Sequence, residues 1–469
     1  MKRFIVVIIL SLSVLLLSAC AAVPLLVKPP LEEEGEVYVY LQPLPQEAAR
    51  LKFSIDDLSL VRNDGSKLPL SLSLDEVNGG IVQRQRFVAS GRVPPGQYRG
   101  LSYTVKKATL RGDQGETVLL VPEGPVTADF SYEIRRKQAV VLSLALRYAE
   151  SVRSEFRLSP VFSVFIPPVP ASGLIGYVTN QDDNTVTVLD KRSGEVAAVI
   201  ATGRGPRAVV LDRKAGKAYV SLSGEDTIEV LEVTTGRFLN AIRLNIGDGP
   251  DGLALTPDGR TLLAVNAASR TLSIIDPLAL AELARIPVGD GPRYVLVDHA
   301  GLRCYVFNAL SNTISVVDIP HRSLVTTLST DPGPVMGQFN RKGDKLFVIY
   351  DLGHYLSVID PFSLSVVQRA YVGPGLCAIK VDTNNDMIYA SRKQEVRIEV
   401  YDPLTLFAGA YIEAMSDVRY MTIDGDENNL FLLSVENKKL MTINLITKKI
   451  VAETDVGENP SWLTMMGER

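Results

Sequence analysis

Histidine and cysteine are scarce in this sequence, with three of each in 469 residues. No two of His299, His321 and His354 stand at metal-ligand spacing, and no Cys-x-x-Cys-His is present to attach a haem. The count alone excludes a copper centre built from many histidines. Gly-x-Ser-x-Gly, the turn that presents a serine nucleophile, is missing, and so is a phosphate-binding glycine loop. Basic blocks are missing too. Lysine and arginine number 49 against 53 acidic residues, a net charge of −4, which argues against a nucleic-acid partner. No metal and no cofactor is expected.

What the chain does contain is a repeat. Gly176-Tyr177-Val178-Thr179-Asn180 returns six more times, with Tyr177 echoed by Tyr219, Leu263, Tyr305, Phe347, Tyr389 and Phe431 at steps of 42, 44, 42, 42, 42 and 42 residues. Asp190, Glu232, Asp276, Asp318, Asp360, Asp402 and Asn444 keep the same steps, as do Pro206, Pro250, Pro292, Pro334, Leu376, Val418 and Pro460. Each period reads as four short strands. In the third, 250–255 is apolar, Thr256-Pro257-Asp258-Gly259 is a turn, and strands follow at 262–266, 271–275 and 281–288. A period in the low forties with four strands predicts a β-propeller, whose blades become stable only by stacking. The chain enters on the second strand of a blade, and Ser461-Trp462-Leu463-Thr464-Met465-Met466 matches a first strand. The tail is therefore expected to complete the blade begun at 176, giving seven blades.

Tyr177-Val178-Thr179-Asn180, then 184–190 (NTVTVLD), then Gly203-Arg204-Gly205-Pro206, resembles the YVTN-type seven-bladed propeller family over residues 172–469. That resemblance implies fold more than function. Family members include surface-layer and envelope proteins, and similar propellers occur in lactonases and quinoprotein dehydrogenases, so only the site can choose.

At the other end, Lys2 and Arg3 precede an apolar run from 4 to 17, too short for a comfortable membrane span. The run ends in Leu17-Ser18-Ala19-Cys20, which resembles the bacterial lipoprotein signal box. The resemblance implies a signal peptide over 1–19 and acyl chains on Cys20 that anchor the protein to a membrane. Ala21 lacks the aspartate associated with inner-membrane retention, so an outer-membrane address is expected, facing either the periplasm or the exterior. Residues 20–35, mixing proline with acidic residues, read as a tether.

Residues 36–166 lack the 42-residue period. Alternating apolar segments at 37–41, 51–61, 101–110, 118–121 and 139–146, separated by turns such as Asn63-Asp64-Gly65, predict an antiparallel β-sandwich, with one short helix at 74–77. Val93-Pro94-Pro95-Gly96-Gln97-Tyr98 with Tyr103-Thr104-Val105-Lys106-Lys107-Ala108 is similar to domain-of-unknown-function family 4382. A proline-rich linker, 167–175, leads to the propeller at 176–469. The fold expected is thus all-β, a sandwich followed by a seven-bladed propeller. Cys304 and Cys377 fall two blades apart in this frame, beyond the roughly 7 Å a disulfide allows between Cα atoms, so two free thiols are expected.

Two acidic loops, Asp382-x-Asn384-x-Asp386 and Asp424-x-Asp426-x-Asn428, faintly resemble calcium loops. Their twelfth positions are Lys393 and Val435 where a glutamate is needed, so both read as turns. The recurring aspartates read as caps of the turn after each third strand, since a catalytic group should be unique. Unique groups should instead gather at the channel mouth. By the repeat alignment, Arg207, Asp251 and Arg293 follow the Gly-Pro entries to first strands and Arg419 follows the matching Val418, Tyr350 ends a second strand, and His354 lies in the next loop. Three arginines there suit an anionic ligand, unless Asp251, Asp290 and Asp417 neutralise them.

Two functions follow. One is a non-catalytic, lipid-anchored envelope protein whose propeller binds or scaffolds a protein, glycan or small anionic ligand. The other resembles the propeller lactonases, with arginine polarising a ring ester and His354 as base. A quinoprotein-like electron-transfer partner is a distant third.

Overall fold

The computed structural model describes residues 28–113, 115–153 and 156–469. The signal peptide, Cys20 with its lipidation, and the start of the tether lie outside the described residues. Among the described residues, no helix is long and apolar enough to cross a membrane.

From Ile175 onward the chain forms seven four-stranded antiparallel sheets. The first comprises Ile175–Asn180, Thr185–Asp190 and Glu195–Ala201, with Pro460–Met465 as its innermost strand. Tyr177 lies opposite Thr464, Val178 opposite Leu463 and Thr179 opposite Trp462. Six further sheets follow in strict chain order, inner strand first. Neighbouring inner strands contact one another all the way round, from Pro206–Asp212 through Val418–Ile423 to Pro460–Met465 and back. The result is a seven-bladed disc joined by its own C-terminal strand.

The sequence periods have distinct physical origins. Tyr177, Tyr219, Tyr305, Phe347 and Phe431 are completely buried second-strand aromatics. They supply the thickness a blade needs to fill the wedge beside its neighbour. Tyr177 also donates its hydroxyl to the Val233 carbonyl of the next blade at 2.5 Å. Small hydroxyls two positions later in the same strands stitch the blades together: Thr179 to Arg207 O at 2.8 Å, Ser221 to Asp251 O at 2.7 Å, Ser391 to Val418 O at 2.7 Å. The aspartate period is a turn. Asp276 accepts from the backbone N–H of Leu278 and Ala279, Asp360 from Phe362 and Ser363, and Asp402 from Leu404 and Thr405, at 2.8–3.3 Å. These backbone donors hold the three carboxyls below the ordinary aspartate range. Cys304 and Cys377 are both buried and free.

The described residues before 166 form two packed sheets, besides a small two-stranded one of Val152–Arg153 with Arg157–Leu158. One runs Phe162–Phe165, Ala139–Leu146, Gly35–Leu41, Arg86–Val93, Ser71–Leu72; the other is built around Leu51–Arg62 and the 17-residue strand Gly96–Gly112. Tyr98 donates to Pro94 O at 2.6 Å and pins the Pro-Pro-Gly corner at the start of that long strand. Two expectations need correcting. Residues 74–77 are not a helix: Glu76–Asn78 is an edge strand on Leu51–Arg62, which lets Val77 enter the core completely. Gly35–Leu41 pairs with Ala139–Leu146 in parallel, so the sheet is mixed and not wholly antiparallel.

Gly35–Leu41 is buried along its whole length because it serves two cores. Val37, Val39 and Leu41 point into the sandwich, whereas Tyr38 and Tyr40 pack with Val196 and Val199 of the first blade. Beside them Gln85 clamps the outer strand of that blade, accepting from Val196 N at 2.7 Å and donating to Val196 O at 3.3 Å. Arg86 and the backbone N–H of Phe87 both bind Asp455 of the seventh blade, at 3.1 and 2.9 Å. The two domains are packed together as well as joined by a linker.

Candidate functional site

Each inner strand starts at one face of the disc and ends at the other, so the channel has two mouths. At its middle, Trp462, Tyr294 and Tyr420 occupy the same register position on three inner strands. The indole lies 4.6 Å from the Tyr420 ring and 5.8 Å from that of Tyr294, so the three aromatics cluster in the channel, Trp462 and Tyr420 still partly exposed. The far mouth is closed by the tail. Gly467 O accepts from Gly425 N at 2.8 Å, Arg469 N donates to Ile423 O at 3.0 Å, and the Arg469 guanidinium meets Asp382 at 3.0 Å and Asn428 at 2.8 Å. Lys191, fully buried, binds Asp424 at 2.7 Å and Met466 O at 2.8 Å. The calcium-like loops are thus carboxylate seats for a lysine and an arginine of the same chain.

The open mouth is lined by the starts of the inner strands. Arg207 meets Asp251 of the next blade through two parallel bonds of 3.0 Å each, and it also donates to Gln181. Burial pushes its pKa down, but the Asp251 carboxylate outweighs this and holds the guanidinium firmly charged. Arg419 pairs with Asp417. Asp290 is taken by Arg270 at 2.8 Å. That leaves Arg293, exposed and with no ion pair among the described residues. Of the residues read from the sequence, Arg207, Asp251, Arg293 and Arg419 share this mouth.

Tyr350 and His354 do not. Tyr350 is 1% exposed, inside the fifth blade, with its hydroxyl unpartnered. Second-strand ends point into the blade here. Asn180, Asn266 and Asn308, at the same register, use their side-chain N–H groups to lock Thr185/Thr187, Thr271/Ser273 and Thr313/Ser315 at 2.8–3.1 Å. His354 turns outward and stacks on Tyr371 of the outermost strand, with ring centroids 6.1 Å apart. A loop-borne histidine prefers an aromatic neighbour at hand to a distant channel.

One titratable group on this face escaped the sequence reading. Glu229, on the third strand of the second blade, is pushed up to about 7 by burial, against the pull of the Gly203 N–H that it accepts at 3.1 Å; Glu225 adds to the rise. Its folded pKa exceeds the unfolded value, so the folded state binds the extra proton, and stability falls as pH rises from about 4.5 to about 7. Glu229→Gln is expected to raise stability by on the order of 1–3 kcal/mol at pH 8 and to leave it unchanged at pH 4. Urea unfolding at the two pH values checks this; equal effects at both would sink it.

A second concavity lies between the domains, a cleft of about 440 Å³. The sandwich contributes Tyr38, Tyr40 and Phe87 to its wall, and the propeller Asn180, Asp183 and the segment 455–458. Nothing periodic marks it, because it exists only where the two domains meet.

No family model matches the chain, and neither does any curated protein. Solved structures do. A functionally unknown protein from Desulfotomaculum acetoxidans DSM 771 is similar at 15% identity and TM-score 0.56, over 62% of this chain and 98% of that one. A putative 6-phosphogluconolactonase from Bacteroides fragilis NCTC 9343 follows at 13% and 0.53, over 63% and 99%. Dihydro-heme d1 dehydrogenase NirN in complex with DHE gives 14% and 0.51, over 64% and 77%. At such identities the likeness carries the fold, a β-propeller, and no chemistry.

Proposed function

We propose that this chain is a non-catalytic, lipid-anchored envelope protein whose propeller binds a protein, glycan or small anionic ligand at its open mouth. The anchor rests on Leu17-Ser18-Ala19-Cys20, with an outer-membrane address proposed from Ala21, and the sandwich is proposed to be of the family 4382 type on its Pro-Pro-Gly-Gln-Tyr turn. The observation that carries the binding reading is Arg293, an exposed guanidinium without a counter-charge among the described residues, on a rim whose other two arginines are fixed by Asp251 and Asp417. A rigid rim that presents an exposed cation suits recognition, since little order is lost on binding. The lactonase alternative needs a base beside an arginine, and His354 stacks on Tyr371 instead.

A photo-cross-linking amino acid at position 310 of the full chain, exposed beside Gly291 on the same rim and irradiated in intact cells, tests the first reading. We expect a discrete adduct in the envelope fraction, reduced at least several-fold by Arg293→Glu. Lactone-opening by the purified chain that disappears in His354→Ala would establish the alternative. Failure of Cys20→Ala to release the chain from the membrane would remove the anchor.

A further inference from the structure

We infer that the cleft between sandwich and propeller is a binding site for a neutral saccharide. The inference does not depend on what the channel mouth binds. The cleft's volume of about 440 Å³ falls within the roughly 300–1,000 Å³ of small-ligand sites, which favour domain interfaces.

Its three cations are already paired, and a fourth carboxylate, Asp183, is in excess. Arg86 is held by Asp455 at 3.1 Å, Lys438 by Glu458 at 2.6 Å, and Lys439 by Glu453 at 3.3 Å. Asp183 accepts the Glu458 backbone N–H at 2.7 Å. An anion entering here would meet one carboxylate in excess and would have to break a pair to reach a cation, so an anionic ligand is disfavoured. What remains is hydroxyl chemistry. Thr185 and Thr187 each accept from Asn180 Nδ2, at 3.0 and 2.9 Å, and each keeps an O–H to give. Tyr38, only 6% exposed, lines the cleft, and its hydroxyl lies near the Glu36 carboxylate without a well-formed hydrogen bond among the described residues. A buried hydroxyl left so favours a ligand that can hydrogen-bond to it. Tyr40 and Phe87, with ring centroids 5.4 Å apart, add an apolar wall for the C–H face of a sugar ring. Paired cations, spare hydroxyls and an aromatic wall together describe a polyol that carries one apolar face.

The test is saturation-transfer NMR on the full chain in a zwitterionic, sugar-free detergent. Glucose, N-acetylglucosamine and maltose serve as probes, with phosphate and glucuronate as charged competitors. At least one neutral sugar should receive saturation. Tyr38→Phe, which removes only the hydroxyl, should weaken its binding about 3–10-fold. Ser73→Trp, placed at the exposed rim of the cleft, should abolish it. No transfer to any of the three sugars would overturn the inference, as would binding that survives Ser73→Trp, or displacement by phosphate at concentrations below those of the sugar.

Discussion

Trp462→Ala is expected to cost about 2–4 kcal/mol, a little less than deleting a fully buried large aromatic because the indole is only partly buried. The indole stands at the convergence of three apolar clusters, one from the fourth to sixth blades and two from the first three. Few neighbours can swing in to fill the hole. Tyr294 is held by Gln338 at 2.9 Å, and the same register on the two following inner strands carries Ala208 and Gly252, which have little side chain to move; only Met336, across the ring, is flexible. Because Trp462 is the only tryptophan, the unfolding must be followed by circular dichroism and not by fluorescence. Trp462→Phe should recover more than half of the loss. A cost below about 1 kcal/mol would mean that the tail strand is not what holds the ring shut, against the ordinary values for such deletions.

Lys191→Ala should be at least as damaging for a different reason. Lys191 and Asp424 have side chains 1% and 0% exposed, and the amine also holds the Met466 carbonyl. Removing the lysine leaves a carboxylate in a dry site without its counter-charge, which typically costs 3–5 kcal/mol. Removing both charges avoids that penalty. Lys191→Met with Asp424→Leu is therefore expected to lie within about 1–2 kcal/mol of the parent. Comparison of the single and double variants by chemical denaturation settles the point; a double variant as unstable as the single would show that the amine's bond to the tail matters more than the charge pair.

The ring was legible because blades obey a local rule. An aromatic at one register, a turn aspartate at another and a proline at strand entry are each demanded by packing that repeats every 42 residues. Arg207, Asp251, Arg293 and Arg419 could be placed on one rim from the same ruler, since register fixes which end of a strand a residue occupies. Side-chain direction was not fixed by it. Tyr350 shares its register with three asparagines, yet whether that position faces channel or blade depends on strand twist and on the partner in the next strand. His354 sits in a loop, where period has no hold. The cleft was beyond reach altogether, because Tyr38 and Val199 are 161 residues apart in sequence and neither belongs to a repeat that includes the other. One hint was present: Val37-Tyr38-Val39-Tyr40-Leu41 is apolar at both parities, as a strand shared by two cores must be.

The start of the described chain has a directional consequence. Asn184, in the loop that joins second and third strands of the first blade, donates to the carbonyl of Lys28. That loop rises on the same side of the disc as Arg207 and Arg293, opposite the end stoppered by Arg469. Residue 28, the first that the structure describes, therefore lies on the arginine side of the disc, away from Arg469.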